Sequence, residues 1–520
     1  MKLFNNLILS LCAAIICGAL FLNCEGEMGD VGPAGENGVD GTDGLDGKDG
    51  EDGEDLIGDM IPLAYSNTPA SILKLAAGFE SLDIEVLLSS EDKLPSAPNF
   101  VYGSMADGAG LLAEDNGTFT LINNIENDYA IARIILDKNL RPLKGEYILD
   151  GVATALTAQC SGSMITPEEH GFGPLYLSGG EWGGASKGVF VTDPYKDVAE
   201  ASVATMLPVM GQWSTENAVA IGKDAYPGKT VVFIGDDESN DSEPSGQLGM
   251  YVGNSGDLEG GKLYGLKVTA DGVSYEMDMV EGTSYSMEFV ELTETNIDLL
   301  DAEAKTKGVM GFSRLEDIDW RRGSAANNRE IYFAVTGRNK VGLLDKGSLT
   351  GRVYKVVLND TDPTAAGTIT CVLDGDVVGG VAEEFHSPDN IVVTENYAYI
   401  QEDPNGVVSS YPNKAAADHF ARIYQYNLNT KELKVVLECD QVTAEAFGYG
   451  TTANTWEITG MIDVTDIVGS TESTFLVMTQ NHGWERSNGL PFTDPTARPD
   501  DFNGSAKEGS VLFAIRGLER

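Results

Sequence analysis

The sequence predicts an all-β chain, folded from residue 60 onward as a β-propeller with insertions. Three observations lead there. Strand-like runs follow one another: "TVVFIG", "GQLGMYVG", "KLYGLKVT", "EIYFAVT", "GRVYKVVL", "TITCVLDG", "ARIYQYNL", "LKVVLE", "TFLVMTQ" and "VLFAI". Gly, Asp and Asn punctuate them, many at hairpin spacing. The region holds too many strands for one ordinary sandwich, and radial repetition protects the edges of a set that large. No clean blade repeat is visible, so the blade count does not follow from these runs. Helical periodicity is confined mainly to "PASILKLAAGFESL" and "TETNIDLLDAEAKTKG".

Ahead of the propeller (60–520), the chain divides into residues 1–23 and 24–59. "MKLFNNLILSLCAAIICGALFLNC" has Lys2 as a minimal basic start and an apolar run from Leu7 to Leu22, the pattern of an export signal. "LFLNC" matches a bacterial lipoprotein cleavage box except for Asn23, where a smaller residue is usual. Cys24 is therefore the expected lipidation site and membrane anchor. Simple secretion into the medium or periplasm, or retention of the segment as an anchor, are the other readings. The expected location is the outer membrane or cell surface. Gly then recurs at every third position from Gly26 to Gly53, ten collagen-type triplets. Only Gly fits the axis of a triple helix, which is what a strict period of three provides for. The segment has one Pro and eleven acidic residues, so a triple helix here would be weak. The readings are a self-repelling extended spacer, about 30 residues at roughly 3 Å each and on the order of 90 Å long, or trimerisation.

Charge narrows the function. The 520 residues include 81 acidic and 34 basic side chains, a net charge of −47. Nucleic-acid binding needs Lys/Arg patches to neutralise phosphates, so that class of partner is excluded. Divalent cations suit such a chain. With 42% hydrophobic residues it has ample core-forming material. Beyond Cys24, Cys160, Cys371 and Cys439 remain. Cys371 and Cys439 lie in strand-like runs, and either pair with each other or are buried as small apolar groups.

No HExxH, Walker loop, GxSxG elbow or CxxC occurs, and the chain has four histidines. What remains is carboxylates at strand ends and turns, oxygen ligands suited to Ca²⁺. "LINNIENDYAIARI" places Asn124 and Glu126 after a strand. "AQCSGSMITPEEHGFGPLYLSGGEWGG" offers Cys160 and then Glu181. "GQWSTENAVAIG" holds Glu216 and Asn217, and "TVVFIGDDESNDS" ends a strand in Asp236 and Asp237. "GFSRLEDIDW" sets Arg314 and Glu316 two residues apart, on one face if extended. "SPDNIVVTENYAYIQEDP" reads as a hairpin whose open end gathers Asp389 and Asn390 beside Glu402 and Asp403. "VMTQNHGW" adds Gln480 and His482. Each alone fits a solvated turn, and Arg314 with Glu316 also fits a structural ion pair. Strand-end acids recurring along a propeller would instead converge on one mouth of its channel.

In this order, the clusters resemble the PhoX family of secreted, calcium-dependent alkaline phosphatases, from about Val101 to Trp484. "VYGSMADGAGLLAEDNGTFTLINNIEN", "QCSGS…LYLSGGEW", "GQWSTENAVAIG…KTVVFIGDDES", "FSRLEDIDW", "SPDNIVV…YIQEDPNG" and "TFLVMTQNHG" are similar to its successive motifs. Leu315 stands where the family has Pro between Arg314 and Glu316, and Ile125 and Thr215 where it often has His. Gln212 replaces a basic residue, and Asn481 separates Gln480 from His482. The resemblance implies a six-bladed propeller with Ca²⁺, and in some members Fe³⁺, at the channel mouth. It implies hydrolysis of small phosphate esters. Glu126, Glu181, Glu216, Glu316 and Asp389 become expected metal ligands and Cys160 the iron thiolate. Glu402, with Asp403, closes the same end from the returning strand of the hairpin, as a further metal ligand or as a support behind the ligands. Arg314 becomes the phosphate clamp. Asn124, grouped with Glu126 after its strand, is the second catalytic candidate. A non-catalytic surface propeller binding a ligand or polymer, or a related phosphodiesterase or phytase-type hydrolase, are the alternatives.

Overall fold

The computed structural model describes residues 60–404, 415–499 and 507–520. The export signal, Cys24 and the Gly-x-y segment lie outside these residues.

Strands β1 (Leu73–Leu75) and β2 (Asp83–Ser89) come first and wait for partners from the far end of the chain. β3 (Ala106–Ala113), β4 (Phe119–Ile125), β5 (Ala130–Leu136) and β6 (Pro142–Leu149) form an antiparallel meander. β7 (Thr157–Ile165), β8 (Leu175–Gly183) and β9 (Gly188–Thr192) form a second. β10 (Thr215–Ala220), β11 (Lys229–Asp236), β12 (Leu248–Asn254), β13 (Lys262–Val268) and β14 (Ser284–Leu292) form a third. β15 (Leu315–Trp320), β16 (Glu330–Val335), β17 (Arg352–Val357) and β18 (Gly367–Asp374) form a fourth, and pairing of β14 with β18 fuses these last two into one nine-stranded sheet. β19 (Pro388–Val393), β20 (Tyr397–Glu402), β21 (Arg422–Asn427) and β22 (Leu433–Cys439) follow, with β1 on the outer edge. β23 (Glu457–Asp463), β24 (Thr474–Asn481) and β25 (Gly509–Arg516) complete the set, with β2 as their outer strand.

The first strand of each meander packs against the first strand of the next. β3 meets β7, β7 meets β10, β10 meets β15, β15 meets β19, β19 meets β23, and β23 returns to β3. The arrangement is all-β and propeller-like, around a central cavity of about 830 Å³ lined by residues of all six inner strands. The middle strands β11, β16, β24 and β25 are buried at nearly every residue and read as near-continuous apolar runs, whereas an outer strand such as β14 alternates buried and exposed residues. Phe233, Phe312, Phe333 and Tyr354, all fully buried, fill the space between the third and fourth meanders. Each such side chain stabilises the fold by about 1.5–3 kcal/mol.

One of the two helical expectations fails. "PASILKLAAGFESL" forms a short turn, Ala70–Ile72, and then β1, which pairs with β22 through Leu73 and Cys439. Burial of Ile72 and Leu73 against that sheet outweighs local propensity, and Gly78 at φ 93° turns the chain away. "TETNIDLLDAEAKTKG" does form a helix, Ile297–Lys307, capped by the Asn296 side chain and ended by Gly308 in the left-handed region. Cys371 and Cys439 are buried and form no disulfide.

Every inner strand is interrupted at a corresponding place. The pairing with its neighbour shifts register between Ala106 and Ala109, Gln159 and Gly162, Thr215 and Ala218, Leu315 and Ile318, Pro388 and Ile391, and Thr459 and Ile462. A bulge re-aims the residues it contains. The bulged pairs, each two residues set against one on the partner strand, are Asp107–Gly108, Cys160–Ser161, Glu216–Asn217, Glu316–Asp317, Asp389–Asn390 and Gly460–Met461. Gly460 sits at φ 60°, and a Cβ there would strike the Asp107 carbonyl and the Met478 side chain. Gly460→Ala is therefore expected to cost about 2–4 kcal/mol from overpacking and backbone strain, read as a lower urea midpoint with an unchanged slope.

Candidate metal centre

The bulges bring five polar side chains to one end of the inner ring. Asp107, Cys160 and Glu216 form one group of possible ligands, Glu126, Cys160 and Glu181 a second, and Glu216, Glu316 and Asp389 a third; within each, the ligand atoms all lie within 4.8 Å of one another. Cys160 and Glu216 each belong to two groups, so the three run into one another. The Cys160 thiol donates to Glu181 Oε2 at 3.1 Å, and the Ser161 amide donates to Glu216 Oε1 at 3.1 Å.

Electrostatics shows what this arrangement lacks. Burial first, and then the charges of Asp107, Glu316, Glu181 and Asp389, push Glu216 well above the usual carboxylate range. Burial likewise raises Asp107, Glu316 and Asp389, with neighbouring carboxylates adding to it. Burial also raises the Cys160 thiol, helped by Glu126, Glu216, Glu181 and Asp107. Acids packed this closely in a low-dielectric site cannot all ionise unless cations join them. The donor set fits metal ions. Carboxylate oxygens suit hard cations such as Ca²⁺, and one thiolate among them suits a transition metal.

The remaining sequence-derived candidates divide. Glu126 is the first residue after β4, and both its oxygens accept hydrogen bonds: Trp182 Nε1 donates at 2.6 Å and Gln480 Nε2 at 2.9 Å. Asn124 is buried in β4, and its Nδ2 donates to the carbonyls of Cys160 at 2.5 Å and Ser161 at 3.3 Å, so it braces the thiol's backbone. Arg314 precedes β15 at φ 64°. Its Nε and Nη2 donate to the two Asp237 oxygens at 2.9 and 3.1 Å, and Nη2 also lies 2.8 Å from Glu316 Oε1. Burial opposes its charge, but Asp237 and Glu316 more than offset this and hold its pKa above the ordinary value. Arg314 Nη1 makes no hydrogen bond to the described residues. His482 Nδ1 lies 2.7 Å from Glu508 Oε2. Burial lowers its pKa, but Glu508 outweighs this and leaves it raised.

Glu402 is not brought to the cluster. The hairpin forms, with Pro388 opposite Glu402, but the bulge turns Asp389 toward the ring while Glu402 accepts from the His386 and Arg422 amides at 2.8 and 3.1 Å. It anchors the hairpin from behind, with His419 Nδ1 at 3.6 Å. Three buried acids join the region without having been singled out. Asp107 is the bulge residue of β3. Asp317 follows Glu316 and faces the cavity. Glu457 opens β23 opposite Gln480, and after burial itself its pKa is raised by Asp403, Asp389, Asp107 and Glu126. The bulge pairs carry a faint signal in sequence, an acid or thiol followed by a small or polar residue: "DG", "CS", "EN", "ED", "DN". Glu457 lies outside it.

Fold and site together define a propeller-like protein with a buried carboxylate and thiol centre suited to metal ions. The family model for alkaline phosphatase PhoX matches residues 189–483, more than half of the chain, and the chain belongs to this family of metal-dependent phosphoric ester hydrolases. The match takes in Glu216, Arg314, Glu316 and Asp389, while Asp107, Glu126, Cys160 and Glu181 precede it. Among solved structures, PhoX of Pseudomonas fluorescens, in complex with vanadate, a transition state analogue, is 14% identical with a TM-score of 0.58, covering 88% of this chain and 97% of that one. That likeness is one of fold. A GH43 β-1,3-galactosidase with galactodeoxynojirimycin has a TM-score of 0.34 at 10% identity, covering 82% of this chain and 94% of its own. The catalytic domain of a Coprinopsis cinerea GH62 α-L-arabinofuranosidase has 0.29 at 11%, covering 60% and 89%. No curated protein sequence matches. Among the described residues no helix is long and apolar enough to cross a membrane.

Proposed function

We propose that this protein hydrolyses phosphate monoesters at one mouth of a six-bladed propeller, using Ca²⁺ and an iron held by Cys160. The observation that supports this most directly is the group of Glu216, Glu316 and Asp389, three buried acids with ligand atoms within 4.8 Å of one another, and an arginine ion-paired to one of them. Six inner strands, each packed against the next, favour six blades. Glu216, Glu316 and Asp389 would hold one cation. Cys160 with Glu126, Glu181 and Asp107 would hold iron beside it. Bound cations there supply charge neutralisation for the phosphoryl oxygens and lower the pKa of a water molecule.

The chain's own groups do the rest. Arg314 meets the phosphoryl group with the donor left over at Nη1, and a guanidinium stabilises charge that grows on the equatorial oxygens. Asp237 fixes the guanidinium plane from one side and Glu316 from the other. A phosphate that takes the two-donor face of Arg314 has to displace Asp237. Asn124 keeps the Cys160 backbone in place. Trp182 and Gln480 fix both oxygens of Glu126, so that carboxylate needs little reorganisation to serve as a ligand. The N-terminal segments support a lipid anchor at Cys24 and an acidic spacer that displays the enzyme at the cell surface.

An aryl phosphate monoester, a diester and phytate, assayed at alkaline pH with and without chelator, test the reading. Chelator-sensitive monoester turnover is expected. A folded, metal-loaded protein inert toward all three would contradict it. Within the hairpin, Asp389→Asn should weaken metal binding at least tenfold, whereas Asp403→Asn, next to the hairpin-anchoring Glu402, should weaken it less. Calorimetric titration of stripped protein makes that comparison.

A further inference from the structure

One carboxylate next to the candidate ligands, on β15, is tied to three of the other five inner strands. Asp317, on β15, is buried and exposes only 7% of its surface. Its Oδ1 accepts from Ser161 Oγ of β7 at 3.2 Å, from Asn217 Nδ2 of β10, and from the amide of Ile318 on its own strand at 2.9 Å. Its Oδ2 accepts from the Ile391 amide of β19 at 3.0 Å. Asn217 Nδ2 donates in addition to the Ile318 carbonyl at 3.0 Å, which doubles the link between β10 and β15.

The partners are not scattered. Ser161 follows Cys160, Asn217 follows Glu216, Asp317 follows Glu316, and Ile391 comes two residues after Asp389. Each donor therefore belongs to, or directly adjoins, the bulge that presents one expected ligand. A bulge is a locally unpaired stretch that the sheet ladder does not hold. Four of them meeting at one acceptor are fixed relative to one another. A ligand set works only when its members are held within a fraction of an ångström of productive geometry, which outer hydrogen bonds provide.

We propose that Asp317 is the positioning residue of the centre: it sets the spacing of Cys160, Glu216, Glu316 and Asp389 without touching substrate. This rests on the metal-site reading above and adds a residue to it. A carboxylate is required because it is acceptor-only at both oxygens. An amide would turn an N–H toward either the Ile391 amide or the Ser161 and Asn217 donors.

Asp319, two residues further along the same strand, provides the control. It is buried, accepts from the Val393 amide at 2.6 Å, and pairs with Arg322. It thus links β15 to β19 as Asp317 does, but away from the bulges. Asp317→Asn, Asp319→Asn and the milder Ser161→Ala are compared with wild type in the full chain. Affinity of stripped protein for Ca²⁺ alone is read by calorimetry, and melting temperature and the separate kcat and KM for an aryl phosphate are read in parallel. Asp317→Asn should weaken Ca²⁺ binding at least tenfold and lower kcat more than it raises KM. Ser161→Ala should weaken binding about threefold. Asp319→Asn should lower the melting temperature yet leave Ca²⁺ affinity within twofold. Should Asp317→Asn fail to fold, Ser161→Ala against Asp319→Asn makes the same comparison. Unchanged Ca²⁺ affinity in Asp317→Asn and Ser161→Ala, or equal losses in all three variants, would overturn the proposal. Absence of Ca²⁺ binding by wild type would instead overturn the metal-site reading.

Discussion

Glu316→Gln is expected to reduce phosphate-ester turnover by at least about a thousandfold. The residue stands where three interactions meet. It shares a ligand group with Glu216 and Asp389, it ion-pairs with Arg314 Nη2 at 2.8 Å, and it accepts from Thr336 Oγ1 at 2.8 Å. Gln keeps the shape but removes one negative charge and offers an N–H where a cation or the guanidinium should sit. The variant should bind less metal per chain as well as turn over more slowly. Arg314→Ala separates the two effects. On the proposed reading it removes a charge that meets the phosphoryl group and no metal ligand, so metal content should stay at the wild-type level while kcat falls by about a hundredfold or more. Glu402→Gln provides the opposite contrast: held by two backbone amides behind the hairpin, it should alter stability and leave metal content unchanged. Metal analysis by mass spectrometry beside steady-state kinetics distinguishes the three.

Stripping the metal should reverse the sign of the protein's pH–stability profile. Burial pushes Glu402 up to about 7, against the opposing pull of His419 and the His386 amide, and holds Asp107, Glu216, Glu316 and Asp389 well above the usual range. Each of these carboxyls has a folded pKa above its unfolded value, so the folded chain binds more protons than the unfolded one. Stability from them is fully present below about pH 4 and is lost as pH rises through the folded values, on the order of 1 kcal/mol per group per pH unit. The stripped protein should therefore melt at lower temperature at pH 8 than at pH 5. Metal ions bind the deprotonated ligands, so the loaded protein should gain with pH over the same interval. A ligand at a hundred times its dissociation constant adds about 2.7 kcal/mol. The gap between loaded and stripped melting temperatures should widen from pH 5 to pH 8; parallel profiles would mean that the acids do not bind metal.

The sheet architecture was largely legible, because strands buried on both faces leave dense β-rich runs between turn residues. Where each meander begins was not. The feature shared by the inner strands is a two-residue bulge, a register property, and its sequence trace is only an acid or thiol before a small or polar residue. Asp107 shows the difficulty: an Asp before Gly reads as a turn, and only the pairing of β3 with β4 places it inside the ring. Glu457 precedes its strand's bulge and has no local signal at all. Glu402 erred in the other direction. Its closeness to Asp389 follows from the hairpin, but side chains alternate across a strand, and the bulge that redirects Asp389 leaves Glu402 facing the backbone of His386 and Arg422. Cys160, Glu126, Glu181, Glu216, Glu316 and Asp389 were recognisable as a set only through the order of their motifs. Nothing local distinguishes any one of them from a solvated turn residue.

Metal content of the protein purified without chelator tests the central claim most directly. The three ligand groups, linked through Cys160 and Glu216, predict at least two tightly held ions per folded chain, calcium with iron among them. Folded protein that carries no stoichiometric metal, and takes up none when offered calcium and iron, would contradict the account.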